Sequence, residues 1–368
     1  MVVSFPCSSA AGGKGRAARF QRDLGNLTKE ATQVGLVQLS AVIGVALLFD
    51  GLTAGSVASA TIGQGDHPAS SSAVAISVPA YITAGPDGAL WFTNLGNKAN
   101  HGSIGRITTR GKVTIYTGGG IDAPAGITVG PDGALWFTNS AGNSIGRITT
   151  SGKISDYTAT GVANPIGITN GPDHVLWFTD AYNPGSVGVV TTSGKVTVHT
   201  STYIDDPTGI TTGPDGDLWI TNAGTKTTRG SIARLNTDGQ ITEFTNSDLD
   251  EPSGITTGPD KAIWFTNYRG NSIGRITTSG QGRFFTGPGI DEPDSITPGP
   301  DGALWFTNYA NNSIGRISTS GKVTNYTGKG IDGPVGITTG PDGALWFTNS
   351  ANNSIGRITI GGKVTNYT

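Results

Sequence analysis

Hydrophobic and polar positions alternate along this chain in short runs, and the runs come in groups of four. The last group, Pro334 to Thr368, reads PVGITTGPDGALWFTNSANNSIGRITIGGKVTNYT. Val335 to Thr338, Leu345 to Thr348, Ser354 to Thr359 and Lys363 to Thr368 each have the chemistry of a strand. In the second run Leu345 and Phe347 share one face, and Trp346 and Thr348 the other. Large apolar groups thus lie on both faces, as expected where both are covered. Gly340-Pro341-Asp342-Gly343 separates the first two runs, and a short turn such as Thr150-Ser151-Gly152 separates the last two. Proline presets φ and glycine accepts the positive φ of a tight turn. Each unit therefore predicts an antiparallel meander of four strands, labelled A to D from the axis outward.

Every tryptophan of the chain falls in strand B of such a unit: Trp91, Trp136, Trp177, Trp219, Trp264, Trp305 and Trp346, 41 to 45 residues apart. A period in the low forties with four strands per repeat is the signature of a β-propeller blade. The fold class is all-β, a seven-bladed β-propeller over residues 74–368. Blades are expected near 79–117, 124–158, 165–200, 207–245, 252–286, 293–327 and 334–368. The tryptophans are read as structural, each wedged between blades over a strand-C glycine (Gly105, Gly146, Gly274, Gly315 or Gly356). Burying ~150–250 Å² of indole at ~25 cal/mol/Å² stabilises by roughly 4–6 kcal/mol as an upper bound. Blade seven supplies its own fourth strand, so Ala73 to Val78 either adds a strand that fastens the ring or stays unpaired.

Composition changes this picture little. The 58 glycines and 35% hydrophobic content would suggest disorder in an irregular chain, but here the glycines recur at turns. A formal net charge of −2 points away from a nucleic-acid partner. Residues 1–60 differ from the repeat. Lys14, Arg16, Arg19 and Arg22 precede an apolar run, Val34 to Phe49, and then Ala58-Ser59-Ala60. That order predicts a secretory signal cleaved after Ala60 and an exported protein; the alternative is a membrane anchor formed by residues 34–49. Residues 61–73 read as a flexible lead-in. Cys7, the sole cysteine, lies in the leader, so the mature protein would be a disulfide-free monomer with no stable membrane span.

The meander sorts the loops. The A–B and C–D turns fall on one face of the ring, and the B–C loops and D–A links on the other. The second face collects Asp206, Glu251, Glu292, Asp294 and Asp332 near the axis, with Asn308 and Asn349 ending strand B and Tyr268, Arg269 and Tyr309 in adjacent loops. Oxygen ligands around a narrow opening suit a hard cation, and Glu251 and Glu292, each directly before proline, are its candidate ligands. The simpler reading is that Asp and Asn cap turns. Asp294 departs furthest from the repeat, replacing a small or aliphatic residue. His101 is the one histidine placed to overlook this face.

The sentence PxGIT–GPDGALWFT–NxIGRIT–GKVTxYT, repeated from Pro79 to Thr368, resembles the virginiamycin B lyase (streptogramin lyase) family. The resemblance implies a seven-bladed propeller that linearises a cyclic antibiotic by eliminating its ester, with Mg²⁺ assistance and histidine as base. The family's histidines follow the proline of strand A in the last two blades, and those places are Asp294 and Val335 here. The acid before the last blade's proline is Gly333, and the tyrosine after the first blade's proline is Ala80, with Tyr81 beside it. Asp294 and Glu292 become the catalytic candidates. An ordinary carboxylate is a weak base unless burial raises its pKa.

Two functions from different classes follow. One is a carbon–oxygen lyase acting on ester-containing cyclic peptides. The other is a noncatalytic propeller that binds a small molecule, cyclic peptide, glycan or protein on the same face. A metal-dependent hydrolase on a similar propeller is a third.

Overall fold

A computed structural model of the protein describes residues 2–4, 65–67, 70–72, 75–96, 101–182, 185–225 and 228–368. Apart from Val2–Ser4, the segment expected to be a leader lies outside the described residues. Seven antiparallel four-strand units follow one another in the order A-B-C-D. Blade seven is Pro334–Thr339, Leu345–Asn349, Ser354–Ile358 and Val364–Tyr367. Short edge strands add to three blades: Ser70–Ser72 on blade one, Gly65–His67 on blade two and Val2–Ser4, in parallel, on blade four. No described helix is long and apolar enough to cross a membrane.

Each tryptophan sits in a seam, and its neighbours are supplied locally by the repeat. Trp346 pairs with Arg357 across the sheet and donates its Nε1–H to Asp342 Oδ1 at 2.9 Å. Asp342 Oδ2 accepts from Arg357 Nε at 2.7 Å, and the guanidinium lies 5.9 Å from the indole. Burial opposes ionisation of Asp342, but the bonds from Trp346 and Arg357 outweigh it and hold the carboxyl below its ordinary value. The strand-D ring of Tyr367 stacks on Trp346 at 5.3 Å and reaches Gly111 in the next blade, where a Cβ would lie 2.5 Å from the ring. The unit thus fixes an aromatic sandwich against the neighbouring blade.

The strand-C glycines serve a different residue from the one expected. Gly356 pairs with Phe347, and a Cβ there would lie 2.1 Å from that ring. The same relation joins Gly146 to Phe137 and Gly315 to Phe306. Tryptophan lies one position along strand B, on the opposite face, so it cannot cover that glycine. The indoles do lie between blades: Trp346 clusters with Leu90 and Phe92 of blade one.

Among the described residues the ring closes without exchanging strands between blades one and seven; Ala73 and Val74 of the expected fastening segment lie outside them. Residues 75–78 form no strand. The last seam is instead held as the others are, by Trp346 packing and by Thr348 Oγ1 donating to Ala80 O at 2.6 Å. Strand A of every blade is bulged just after its proline, which frees its carbonyls for such contacts.

Trp305, fully buried, and Trp177, half-buried, should respond differently to truncation. Trp305→Ala is expected to cost about 3–5 kcal/mol and Trp177→Ala clearly less, as read by urea unfolding. Equal losses would contradict the seam account.

Candidate functional site

The acids of the D–A links reach the axis because the backbone turns sharply before each proline. Val78, Ala123, Asn164, Asp206, Glu251, Glu292 and Gly333 all occupy the left-handed region, with φ between 46° and 63°. For a side-chain-bearing residue this costs about 1–3 kcal/mol and persists only when neighbours over-determine it. They do so here. Glu292 donates its N–H to Asn271 Oδ1 in the preceding blade at 2.7 Å, and its carbonyl accepts from Tyr309 N at 3.1 Å. Asp291 N, next to it, donates to Asn308 Oδ1 at 3.1 Å.

That geometry reassigns two expected ligand-facing residues. Asn308 and Asn349 are fully buried. The Asn308 amide donates to Gly289 O and Ser313 Oγ, and that of Asn349 to Gly330 O and Ser354 Oγ. Asn349 Oδ1 accepts from Asp332 N. Both amides are consumed in shaping the links and offer nothing to a ligand. Asp332 stays half-buried beside the Tyr309 phenol.

Asp294 is the centre of the site. It stands second in strand A of blade six, Pro293–Pro298, and is 3% exposed. Ser253 Oγ of blade five donates to its Oδ1 at 3.0 Å, while Oδ2 is buried with no partner among the described residues. Burial pushes the carboxyl up to about 7, against the pull of the Ser253 bond. Three phenols surround it. Tyr268 donates to Glu292 Oε2 at 3.1 Å. Burial, then Glu292 and Asp294, raise the Tyr268 phenol. Burial and the Asp294 carboxyl, with Glu292 and Asp332 beside it, raise Tyr309. Tyr81 of blade one is raised by burial and by Asp294, which brings the first and sixth blades together at the narrow hub.

Tyr81 is the residue that sequence reasoning left outside the site. It occupies the third position of strand A, where Gly126, Gly167, Gly209, Gly254 and Gly336 stand in five other blades. Departure from the repeat was the available signal, as it was for Asp294. Ser253, at Asp294's own position one blade earlier, carried a similar signal.

The remaining acids are partly engaged. Glu251 Oε2 lies 2.8 Å from Arg269 Nε. Burial raises Glu251, with Arg269 opposing and Asp250 and Glu292 adding to the rise. Burial, then Asp205 and Glu251, push Asp206 up to about 6. Among the described residues no three His, Cys, Asp or Glu side chains converge as a metal ion requires. Glu251 and Glu292, the expected Mg²⁺ ligands, contact Arg269 and Tyr268 respectively. His101 pairs with Asp122 at 3.0 Å in an exposed contact.

Buried carboxyls with raised pKa fix a sign for stability. Asp294 and Asp180 lie at about 7 and Asp206 at about 6, each chiefly through burial. The folded protein therefore keeps protons that the unfolded chain releases near pH ~4, and stability falls as pH rises from ~4 through ~7. Asp87, Asp132, Asp260, Asp301 and Asp342 are shifted downward and act below that window. Thermal melts are expected to lose Tm across it, and Asp294→Asn to raise Tm at its upper end but not at its lower end. A level or rising Tm would overturn the assignment.

The profile of the virginiamycin B lyase family matches residues 32–250 and 159–368. Selenomethionine-substituted virginiamycin B lyase from Staphylococcus aureus is 34% identical, with a TM-score of 0.68, over 81% of this chain and 98% of that one. A catalytically inactive histidine-to-alanine variant of that enzyme with quinupristin gives 34%, 0.69, 81% and 99%. A streptogramin B lyase structure is 30% identical, TM-score 0.69, over 82% and 98%. No curated protein matches by sequence. With the repeat, the seven blades and this identity in agreement, the chain belongs to the virginiamycin B lyase family.

Proposed function

We propose that the protein is an exported carbon–oxygen lyase that opens ester-closed peptide rings, with Asp294 as the base. The observation that carries this reading is the Asp294 carboxyl, with one oxygen on Ser253, the other unpartnered among the described residues, and a pKa of about 7. A carboxyl raised to about 7 supports its taking the place of histidine, since its proton affinity exceeds that of an ordinary carboxylate. Related structures are described as lyases of streptogramin B or virginiamycin B, one of them with quinupristin.

In the step proposed, Asp294 takes the proton from the carbon adjacent to the one bearing the ester oxygen. The C–H electrons form the C=C bond, the C–O bond breaks, and its electrons leave on the carboxylate. Asp294 ends protonated, which its burial favours. The phenols of Tyr81 and Tyr309, raised above their ordinary value, stay protonated and donate to the departing carboxylate, while that of Tyr268 holds Glu292.

A second reading, a noncatalytic binder on the same face, is favoured by the Glu251–Arg269 and Tyr268–Glu292 contacts, which already satisfy two acids. Incubation with a cyclic depsipeptide separates the readings. Elimination gives a linear unsaturated isomer of unchanged mass, hydrolysis adds one water, and binding alone returns intact ring. The lyase reading expects the isomer, a rate rising with pH through about 7, and a loss of about 10²–10⁴-fold in Asp294→Asn. Asp294→His, which restores the family's residue, should increase the rate. Intact ring with a saturable thermal shift overturns the lyase reading in favour of binding. Export expects secreted protein beginning at Thr61 by N-terminal sequencing, and a start far from it would remove the signal assignment.

A further inference from the structure

Blade three breaks the seam unit that the other six blades share. In those six, a strand-C arginine bonds the aspartate of the A–B turn, and the tryptophan Nε1–H donates to the same aspartate. Blade three has Val189 at the arginine position, paired with Trp177. Its turn aspartate, Asp173, has no ion-pair partner among the described residues. Trp177 Nε1 is buried with no hydrogen-bond partner among the described residues.

The outer half of the same seam is also open. In the other blades a strand-D Tyr or Phe lies against the C–D turn glycine of the next blade, as Tyr157 does at Gly194 and Phe244 at Gly280. His199 takes that place in blade three, 6.0 Å from Trp177, and nothing lies within 4 Å of a Cβ on Gly239. The result is a cavity of about 640 Å³ between blades three and four, with Trp177, His199, Asp173, Asp238 and Gly239 on its wall. That volume is within the range of small-molecule sites, about 300–1,000 Å³. Asp238 adds a second carboxylate where most C–D turns have serine.

The next seam shows what the missing group does. Arg234 lies 5.7 Å from the Trp219 ring, pairs with the turn carboxylate of Asp215 at 3.3 Å besides bonding Asp217, where blade three has Val175, and donates from Nη1 to Thr278 O of blade five at 3.2 Å. The counterparts around the cavity are Trp177, Asp173 and Thr237, all on its wall. An indole face, a carboxylate and a carbonyl in that arrangement match a planar cation with several N–H donors. An ammonium is compact and cannot stack in the same way.

We infer that the cavity between blades three and four is a binding site for a guanidinium-bearing small molecule, whose guanidinium takes the place left by arginine at Val189. The site is separate from Asp294 and does not depend on the lyase reading.

The probe is L-arginine amide, with L-lysine amide for comparison, read by thermal shift and tryptophan fluorescence. The intact protein is expected to give a saturable response to arginine amide, at least several-fold tighter than to lysine amide. Asp173→Asn, at an exposed position, should weaken it roughly tenfold. Val189→Arg should fill the site from within, raising Tm without ligand and abolishing the response, while Asp294→Asn leaves the response unchanged. Absence of a saturable response in the intact protein overturns the inference, as does an undiminished response in folded Val189→Arg. Should Val189→Arg fail to fold, an unaltered affinity in Asp173→Asn overturns it equally.

Discussion

The structure depends on how one blade is sealed to the next. A four-strand sheet with apolar groups on both faces cannot bury them alone, and here the indole of strand B is the largest group crossing each seam. Its position is set within the repeat by an aspartate that accepts from both the indole and an arginine. A strand-D ring then covers the indole and meets a glycine of the next blade. Each unit is local in sequence and repeated, and among the described residues the ring closes with no strand exchanged between its ends. The closing seam is made of the same parts as the others.

A second constraint acts at the hub. The residue before every strand-A proline is held in the left-handed region, and the hydrogen bonds holding it include side-chain acceptors from the preceding blade, as at Glu292 and Gly333. Assembly of the ring thus supports a conformation that an isolated blade would hold poorly. Where that residue is acidic, as in blades four, five and six, its carboxylate is brought to the axis. Scaffold and chemistry are linked there. The buried asparagines that end strand B shape the link, and the variable residues beside them supply the functional groups.

Departures from the repeat cluster in two places. Asp294, Ser253 and Tyr81 differ from the residues common at their positions, and they converge at the hub, where the carboxyl raises the Tyr81 phenol and Ser253 donates to the carboxyl. Val189 and His199 differ from Arg and Tyr or Phe, and they converge on the outer seam of blade three. A repeated residue is held by packing that every blade needs. A residue that breaks the pattern is free of that requirement, and where several such residues meet, a site becomes possible.

The sequence by itself determined the seven blades, the four-strand meander, the two loop faces and the acids gathered on one of them, because each follows from turns and alternation within some forty residues. It did not reveal that phenylalanine rather than tryptophan covers the strand-C glycine, since that rests on a one-residue register that flips the face. It placed Asn308 and Asn349 correctly at the ends of their strands but not their burial, which depends on the left-handed turn beside them. The meeting of Tyr81 with Asp294, more than two hundred residues apart, and the rise of that carboxyl to about 7 were decided only when the ring closed. Closure removes water from the hub, and desolvation belongs to the assembled structure rather than to any stretch of chain.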